Sequence, residues 1–319
     1  MKKMHIRISV LVIACFFYFL LSDLQTNIKR MKRILPILFL IPVIASAQRD
    51  WSTATISTTE VSSGIYRLFV DNRVAVVAFI GTDGVLLVDA ADEQTASLLK
   101  QSITKLTDQP LRYLVNTHIH GDHTGGNLGL GSGVDIISHH QVKNFLGTER
   151  RQGERIIPAF PEYALPNITF SDELNIVFNG EPVIMKHLPE GHTNSDIIVY
   201  FPDSKVLVVG DLLFADNFPY VDTGNGGHPL GYLKNVEWIT NQYPDDVTII
   251  GGHGPVYTIS QYKDYLQTLL NTAEIVKTAK QNGMNADQMK TNRILQQWES
   301  MGSFFITEDR WIDTLYPYM

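Results

Sequence analysis

The chain has 319 residues, of which 44% are hydrophobic, so it can bury a substantial core. Residues 1–47 carry seven Lys or Arg and one acid, so the remaining 272 residues carry 19 basic and 32 acidic side chains, a net charge of −13. This acidity argues against nucleic acid as a partner, because neutralisation of phosphates by basic side chains dominates that affinity.

The first 47 residues are predicted to be an export signal rather than part of the fold. They contain a charged start at residues 31–33, an apolar core at 34–44 and the cleavage-site sequence ASA at 45–47. A second apolar run, IRISVLVIACFFYFLLS, lies before residue 31, and we interpret Met31 as the true start. The alternative is an N-terminal membrane anchor. We therefore expect a periplasmic or secreted protein with no stable membrane association after cleavage, and one catalytic domain over 48–319.

The only cysteine, Cys15, lies in the predicted signal. Residues 48–319 therefore have no thiol for a disulfide, a zinc ligand or a nucleophile. Any metal site in this part of the chain must use histidine and carboxylate ligands.

Short β-rich runs alternate with turns between residues 55 and 90. The sequences GIYRLFV, VAVVAFI and VLLVDA are typical of strands joined as hairpins. Residues 93–106 place apolar side chains at helical spacing, and LRYLVNT at 111–117 is typical of a buried strand.

The second half of the chain repeats this theme. A helix is predicted at 231–243, and two or three helices are predicted in a C-terminal part that begins at about 259. Strands are predicted at 168–178, 182–188, 196–201, 205–211 and 247–252. Strand-rich halves interspersed with helices indicate sheets covered by helices.

The sequence NTHIHGDHTGGN concentrates three of the ten histidines of the chain. His118 and His120 are two residues apart, so they point to the same side of an extended stretch. Gly121 permits a sharp turn, which would bring Asp122 and His123 round from the other side. The pattern H-x-H-x-D-H is therefore predicted to supply two pairs of metal ligands from one loop.

Three further potential ligands follow apolar strands. His192 lies in PEGHTNSD, Asp211 closes KVLVVGD, and His253 lies in VTIIGGHG. Taken singly, each is more typical of a capping or turn residue. Taken with the histidine-rich loop, they indicate a metal site at the ends of the strands.

These motifs together resemble the metallo-β-lactamase superfamily over nearly the whole region from Val61 to Tyr262. The similar features are Asp89 after a hairpin, the H-x-H-x-D-H loop, the sequence GHT, the strand-end Asp211 and the sequence GHG. The resemblance implies a four-layer αββα sandwich with C-terminal helices and a metal site along one edge of the two sheets.

The resemblance also implies two zinc ions, with Asp89 outside the set of ligands. The implied ligands are His118, His120 and His192 for the first zinc, Asp122, His123 and His253 for the second, and Asp211 as a bridge. A hydroxide held between two such ions is nucleophilic at neutral pH, and we expect it to attack a carbonyl carbon. Asp122 is the predicted catalytic residue, since it would anchor the second zinc and orient the nucleophile.

The substrate is expected to be a small molecule, with a β-lactam-like cyclic amide or a related ester as the first hypothesis. Class B1 β-lactamases have a cysteine in place of Asp211 and a substrate-binding lysine in place of Phe214, so this chain departs from them. Asp211 instead resembles the bridging residue of glyoxalase II and of lactonases. An export signal disagrees with glyoxalase II, which acts on a cytosolic thioester.

Other classes of function stay open from the sequence. A lactone or thioester hydrolase is one alternative, and an oxidoreductase similar to the persulfide dioxygenases, with a single iron, is another. A non-catalytic binding protein is a third alternative, which the complete set of ligands disfavours.

The remaining histidines are predicted to have other roles. His139 and His140 are expected to cap a helix or to lie on the surface, and His187 is expected to be structural. His228 lies in a glycine-rich loop, where a turn residue is the first interpretation and contact with substrate is the alternative.

Overall fold

The structure is a computed structural model that describes residues 49–319, and the predicted export signal lies outside these residues. The strands of the described part are β1 (Ile56–Ser62), β2 (Ile65–Val70), β3 (Val74–Gly81), β4 (Gly84–Val88), β5 (Leu111–Asn116), β6 (Asp135–His139), β7 (Arg150–Gln152), β8 (Arg155–Ile157), β9 (Ile168–Phe170), β10 (Glu173–Phe178), β11 (Glu181–His187), β12 (Ile197–Phe201), β13 (Val206–Phe214), β14 (Thr248–His253) and β15 (Tyr257–Thr258). The α-helices are α1 (Ala96–Thr104), α2 (Gly121–Thr124), α3 (Asn127–Leu130), α4 (His140–Leu146), α5 (Pro229–Gln242), α6 (Ile259–Gln281), α7 (Ala286–Thr291) and α8 (Glu308–Leu315).

The strands form two large sheets. The first has the order β1-β2-β3-β4-β5-β6-β9, and the second has the order β10-β11-β12-β13-β14-β15. Pairing is antiparallel from β1 to β4 and parallel from β4 through β9, whereas β13 and β14 form the parallel pair of the second sheet. Parallel pairs bring the carboxyl ends of neighbouring strands to one edge, where loop residues can meet.

Three apolar cores separate four layers. Between the two sheets, Val77 and Val115 of the first sheet belong to one cluster with Val199 and Ile250 of the second. The outer face of the first sheet packs on α1 and α3, and that of the second sheet packs on α5, α6 and the C-terminal helices. This arrangement confirms the predicted αββα class with C-terminal helices. None of the described helices combines the length and apolar character needed to cross a bilayer.

The predicted strand over 168–178 is divided between the two sheets. Its first part is β9, which pairs with β6 in the first sheet, and its second part is β10, which pairs with β11 in the second. The division falls at Ser171 and Asp172, where polar side chains interrupt the apolar pattern and the chain crosses from one sheet to the other.

The prediction for His139 is wrong, because its side chain is neither exposed nor a helix cap. His139 stands at the N-cap position of α4, but its ring makes no capping hydrogen bond and only 1% of the residue is exposed. The ring stacks on that of His187, with centroids 3.7 Å apart and planes 9° from parallel. Burial lowers the pKa of His139 to about 4 and also lowers the pKa of His187, so both rings are neutral near pH 7.

This buried pair predicts a loss of stability in acid. An unfolded histidine titrates near pH 6.5, so between about pH 6.5 and 4 the unfolded chain binds more protons than the folded chain and stability falls as the pH falls. His139→Phe should preserve the stacking and reduce this pH dependence by up to about 1.4 kcal/mol per pH unit.

The measurement is urea unfolding with EDTA present, at several pH values between 4 and 7. EDTA removes the contribution of metal release, and protonation of the ligand histidines is common to both proteins, so the difference between variant and wild type reports on His139. An identical dependence of the unfolding free energy on pH in the variant and in the wild type would contradict the prediction.

Candidate metal centre

Seven of the histidines and aspartates singled out by the sequence meet at one edge of the sandwich. They form two adjacent groups whose ligand atoms lie within 4.8 Å of one another in each group. The first group is His118, His120, His192 and Asp211, and the second group is Asp122, His123 and His253. These are the seven residues that the sequence predicts as metal ligands.

Asp211 lies between the two groups and offers one oxygen to each. Its Oδ2 is 3.3 Å from His192 Nε2 and 3.8 Å from His118 Nε2 in the first group. Its Oδ1 is 3.1 Å from His123 Nε2 and 3.3 Å from His253 Nε2 in the second group. This placement suits a carboxylate that bridges two cations.

The loop after β5 supplies residues to both groups. The Nε2 atom of His118 is 3.1 Å from the Nδ1 atom of His120, as expected for two side chains on one side of an extended stretch. The chain then enters α2 at Gly121, and this helical turn directs His123 to the second group. The role predicted for Gly121 is wrong, because its φ is not in the left-handed region and an added Cβ would meet no atom within 4 Å.

A glycine in β13 allows Asp211 to enter the site. Gly210 has a φ of +51°, and the pairing of β13 with β14 shifts in register on both sides of it. A Cβ at Gly210 would lie 2.7 Å from Thr117 Oγ1, so β13 and the loop after β5 approach each other too closely for any larger residue at position 210. The irregularity turns the end of this strand towards the loop after β5.

Each of the five histidines has one ring nitrogen turned towards the centre and the other held by the protein. The outer pairs are His118 Nδ1 with Thr117 Oγ1 at 3.0 Å, His120 Nε2 with Asp222 Oδ2 at 2.9 Å, His123 Nδ1 with Asp89 Oδ2 at 2.8 Å, His192 Nδ1 with the Tyr220 carbonyl at 2.7 Å and His253 Nδ1 with the Arg73 carbonyl at 2.7 Å. An outer hydrogen bond of this kind fixes the ring and leaves the inner nitrogen as a metal ligand.

Asp89 is held away from the centre. It follows β4 with a φ of +66°, and its two oxygens accept hydrogen bonds from the backbone and the hydroxyl of Thr117 at 2.8 Å each. The same carboxylate accepts the hydrogen bond of His123. Asp89 therefore positions a histidine instead of joining either group.

The charges and unpaired ligand atoms of the centre favour the binding of cations. Within the described residues, His123 Nε2 and Asp211 Oδ1 are buried without a hydrogen-bond partner. Burial by itself would lower the pKa of His123, but Asp211, Asp89 and Asp122 raise it well above its usual range. Burial lowers the pKa of His192 to about 4, so that ring is neutral and available as a ligand. The donor set and its charge therefore fit metal ions.

Asp122 and His120 are the two residues of the metal groups whose side chains are partly exposed, and Asp122 is the carboxylate of this pair. Its side chain is 21% exposed, and its Oδ2 accepts a hydrogen bond from Arg73 Nη1 at 3.0 Å. Arg73 also binds Asp92, and its carbonyl holds His253. Arg73 thus connects the exposed carboxylate to a histidine of the same group.

Sequence reasoning missed Asp222, Arg73 and Tyr220. Asp222 binds a histidine 102 positions away, and Arg73 binds one 180 positions away. Neither residue belongs to a local pattern of ligand types. Tyr220 contributes its backbone carbonyl, for which the side chain gives no signal.

Phe214 packs against the metal centre, and His228 caps a helix. Phe214 is buried and stacks on the ring of His253, with centroids 4.9 Å apart, so it packs against the ligands and offers no cation to a substrate. His228 is the N-cap of α5, where its Nδ1 accepts from the backbone N–H groups of Leu230 and Gly231. The turn-residue interpretation of His228 agrees with this geometry.

Comparison with known proteins gives the family. A model described as the metallo-beta-lactamase superfamily matches residues 70–271. The chain belongs to the metallo-beta-lactamase superfamily and is a metal-binding hydrolase of that superfamily.

Individual relatives differ in their named activities. Hydroxyacylglutathione hydrolase GloC of Haemophilus influenzae is 32% identical over 185 residues, which cover 56% of this chain and 83% of the relative. Metallo-beta-lactamase type 2 of Bacteroides fragilis is 22% identical over 228 residues, which cover 67% of this chain and 86% of the relative.

Solved structures share the fold. A metallo-beta-lactamase from Pontibacter korlensis has a TM-score of 0.56 and 22% identity, covering 68% of this chain and all of that chain. The sec-alkylsulfatase Pisa1 from Pseudomonas sp. has a TM-score of 0.63 and 13% identity, covering 83% of this chain and 50% of that chain. At these identities the similarity establishes the fold alone.

Removal of the Asp222 carboxylate should weaken metal binding. Asp222→Asn removes the negative charge of the partner that holds His120, and substitution of such an outer partner typically costs about 10–100-fold in metal affinity. Zinc affinity, measured by competition with a chelator, should fall by this factor. Asp245→Asn, which changes an exposed partner of Lys263, is the matched control. Equal zinc affinity in both variants would contradict the role assigned to Asp222.

A second prediction separates two glycines of the site. An added Cβ at Gly252 would overlap Asp211 Oδ1, whereas one at Gly121 would meet nothing. Gly252→Ala should therefore displace the Asp211 carboxylate and lower kcat/KM on the order of a hundredfold, the effect typical of a misplaced catalytic group. Gly121→Ala should leave kcat/KM and zinc affinity within about twofold of the wild type. Equal effects of the two substitutions would show that the close contact at Gly252 has no functional importance.

Proposed function

We propose that this chain is an exported hydrolase with two zinc ions that attacks the carbonyl carbon of a small molecule and breaks the bond from that carbon to the leaving atom. The observation that carries the proposal is the position of Asp211, which turns one oxygen to each of two histidine-containing groups. This arrangement supports a dinuclear site over the alternative of a single iron. Nitrogen and carboxylate donors without a thiol suit zinc.

Two zinc ions bound there would supply a nucleophilic hydroxide at neutral pH and a Lewis acid for the carbonyl oxygen. Burial opposes ionisation of Asp122, but His123 and His253 lower the pKa of its carboxyl below the usual value. Asp122 is therefore ionised at neutral pH, and its partly exposed carboxylate can accept a hydrogen bond from the attacking oxygen and orient it. Arg73 holds Asp122 in this position through its Nη1 atom.

The same carboxylate can pass a proton to the leaving group. Asp122 is partly exposed, so a proton taken up there during the attack can be passed to the departing oxygen, sulfur or nitrogen. General acid–base work by a positioned carboxylate contributes on the order of 10²–10⁴-fold to the rate. Asp122 is accordingly the catalytic residue of the proposal.

An ester, thioester or lactone is favoured over a β-lactam as the substrate. Phe214 is buried beside His253 and provides no positive charge for the carboxylate of a β-lactam. The similarity to a hydroxyacylglutathione hydrolase supports a thioester or related acyl substrate. A β-lactam-like cyclic amide is the second candidate, supported by the similarity to a metallo-beta-lactamase.

Metal analysis and a substrate panel test the proposal. The purified protein, without residues 1–47, should contain about two zinc ions per chain. It should hydrolyse one class among a p-nitrophenyl ester, a lactone, S-lactoylglutathione and nitrocefin, and an alkyl sulfate is included as the substrate without a carbonyl group. Asp122→Asn should lower kcat on that class by at least about a hundredfold, because orientation and proton transfer are both lost.

Asp245→Asn is the control for the loss of one negative charge, and it should keep the wild-type rate. One iron per chain would overturn the dinuclear hydrolase, and cleavage of only the alkyl sulfate would overturn the carbonyl substrate. Unchanged activity in Asp122→Asn would remove Asp122 from the catalytic role.

A further inference from the structure

Two adjacent phenylalanines are exposed in the segment between the 3₁₀-helix Gln296–Gly302 and α8. Phe304 is 44% exposed and Phe305 is 49% exposed. Large apolar side chains that are exposed side by side commonly mark a binding surface. Both lie outside residues 70–271, so they belong to a part of this chain that the family model does not match.

The two rings reach histidines of different metal groups. The ring of Phe304 lies 5.6 Å from that of His253 in the second group. The ring of Phe305 meets Tyr220 edge-on at 5.4 Å, and Tyr220 in turn stacks on His120 of the first group at 5.8 Å. Phe304 thus contacts a histidine of the second group directly, and Phe305 reaches a histidine of the first group through Tyr220, so the segment runs alongside the centre.

The protein fixes this segment at both ends. Before it, the carbonyl of Met301 accepts a hydrogen bond from the backbone N–H of Phe218 at 2.9 Å. After it, Ile306 is 2% exposed in the core of the second sheet. Arg310 donates from Nη1 to the Phe305 carbonyl at 3.1 Å, and its guanidinium lies 4.9 Å from the Phe305 ring. The exposure of the rings is therefore a built feature and not a result of a loose terminus.

A cavity beside Phe305 provides room for part of a substrate. Its volume is about 320 Å³, and its lining combines apolar side chains, among them Tyr220, Val221 and Ile306, with the charged side chains of Arg310 and Asp313. A volume of this size is at the lower end of those that hold small ligands. Tyr220 lines this cavity and contacts the rings of His120 and His192, so the cavity adjoins the first group.

We propose that Phe304 and Phe305 form an aromatic wall that selects carbonyl substrates with an apolar substituent next to the scissile bond. This inference rests on the proposed function, because it places the reacting carbonyl at the metal centre. An acyl chain or a phenyl group would then cover the exposed ring faces and remove them from water. A small acyl group such as acetyl would leave both rings exposed and would gain nothing from them.

The test is a binding series that does not depend on turnover. Acetate, butyrate, octanoate and phenylacetate are product-like carboxylates, and their affinities for the zinc-loaded protein can be measured by calorimetry. Octanoate and phenylacetate should bind at least about tenfold more tightly than acetate, the difference expected for partial burial of an apolar group. In the variant with Phe304→Ser and Phe305→Ser, the four affinities should become equal within about twofold.

Val177→Ser is the matched control, because Val177 is an exposed apolar residue on β10. The turn that follows β10 contacts the turn before β4, whereas the metal centre lies beyond the other end of β4. It should keep the tenfold preference, and both proteins should keep the wild-type zinc content. Equal binding of all four carboxylates by the wild type would overturn the inference. A preference that survives the double substitution would overturn it as well.

Kinetics distinguish a failure of this inference from a failure of the proposed function. If a series of p-nitrophenyl esters is hydrolysed, loss of the wall should raise KM for p-nitrophenyl octanoate with little change in kcat. This is the result expected when an interaction made equally in the ground state and in the transition state is lost. Hydrolysis without any preference for chain length would keep the proposed function and overturn the wall. The double substitution could instead convert a wild-type dimer to a monomer and leave the ligand affinities unchanged. That result would show that the two rings contact a second copy of the chain, and it would overturn the inference.

Discussion

The structure of the site depends on one buried carboxylate. Asp211 is enclosed by four histidine nitrogens from three separate stretches of the chain, and burial of such a charge is costly unless positive charge compensates it. His123, next to it, is also close to Asp89 and Asp122, and this concentration of negative charge raises its pKa. The cluster therefore requires either protons or metal cations at its centre, and its stability is coupled to metal binding.

The sandwich supplies that cluster because strands of both sheets end at the same edge. β4 and β5 of the first sheet lead to Asp89 and His118, while β13 and β14 of the second sheet carry Asp211 and His253. The apolar core between the sheets holds these ends in register, and the close approach at Gly210 brings the edges together. Packing far from the chemistry thus determines the distances within it.

The C-terminal part of the chain does more than cover the second sheet. Helices α6 and α8 join the outer core, and the segment between the Gln296–Gly302 helix and α8 returns to the metal centre. In the proposed enzyme the family fold would provide the hydrolytic centre, while this added segment would provide substrate preference. Such a division agrees with the general observation that specificity resides in segments carried by a rigid scaffold.

Local spacing in the sequence was sufficient to select the seven residues that meet at the site. The pattern H-x-H-x-D-H and the strand-end positions of His192, Asp211 and His253 are local properties. The αββα class and the division of these residues between two metal ions were implied by the resemblance of the motifs to a known family. Only the tertiary structure decided which residues hold the histidines in place. Asp222 and Arg73 lie 102 and 180 positions from their partners, and the stacking of His139 on His187 joins two sheets. Such contacts depend on how distant segments pack, for which no short stretch of one sequence carries a signal.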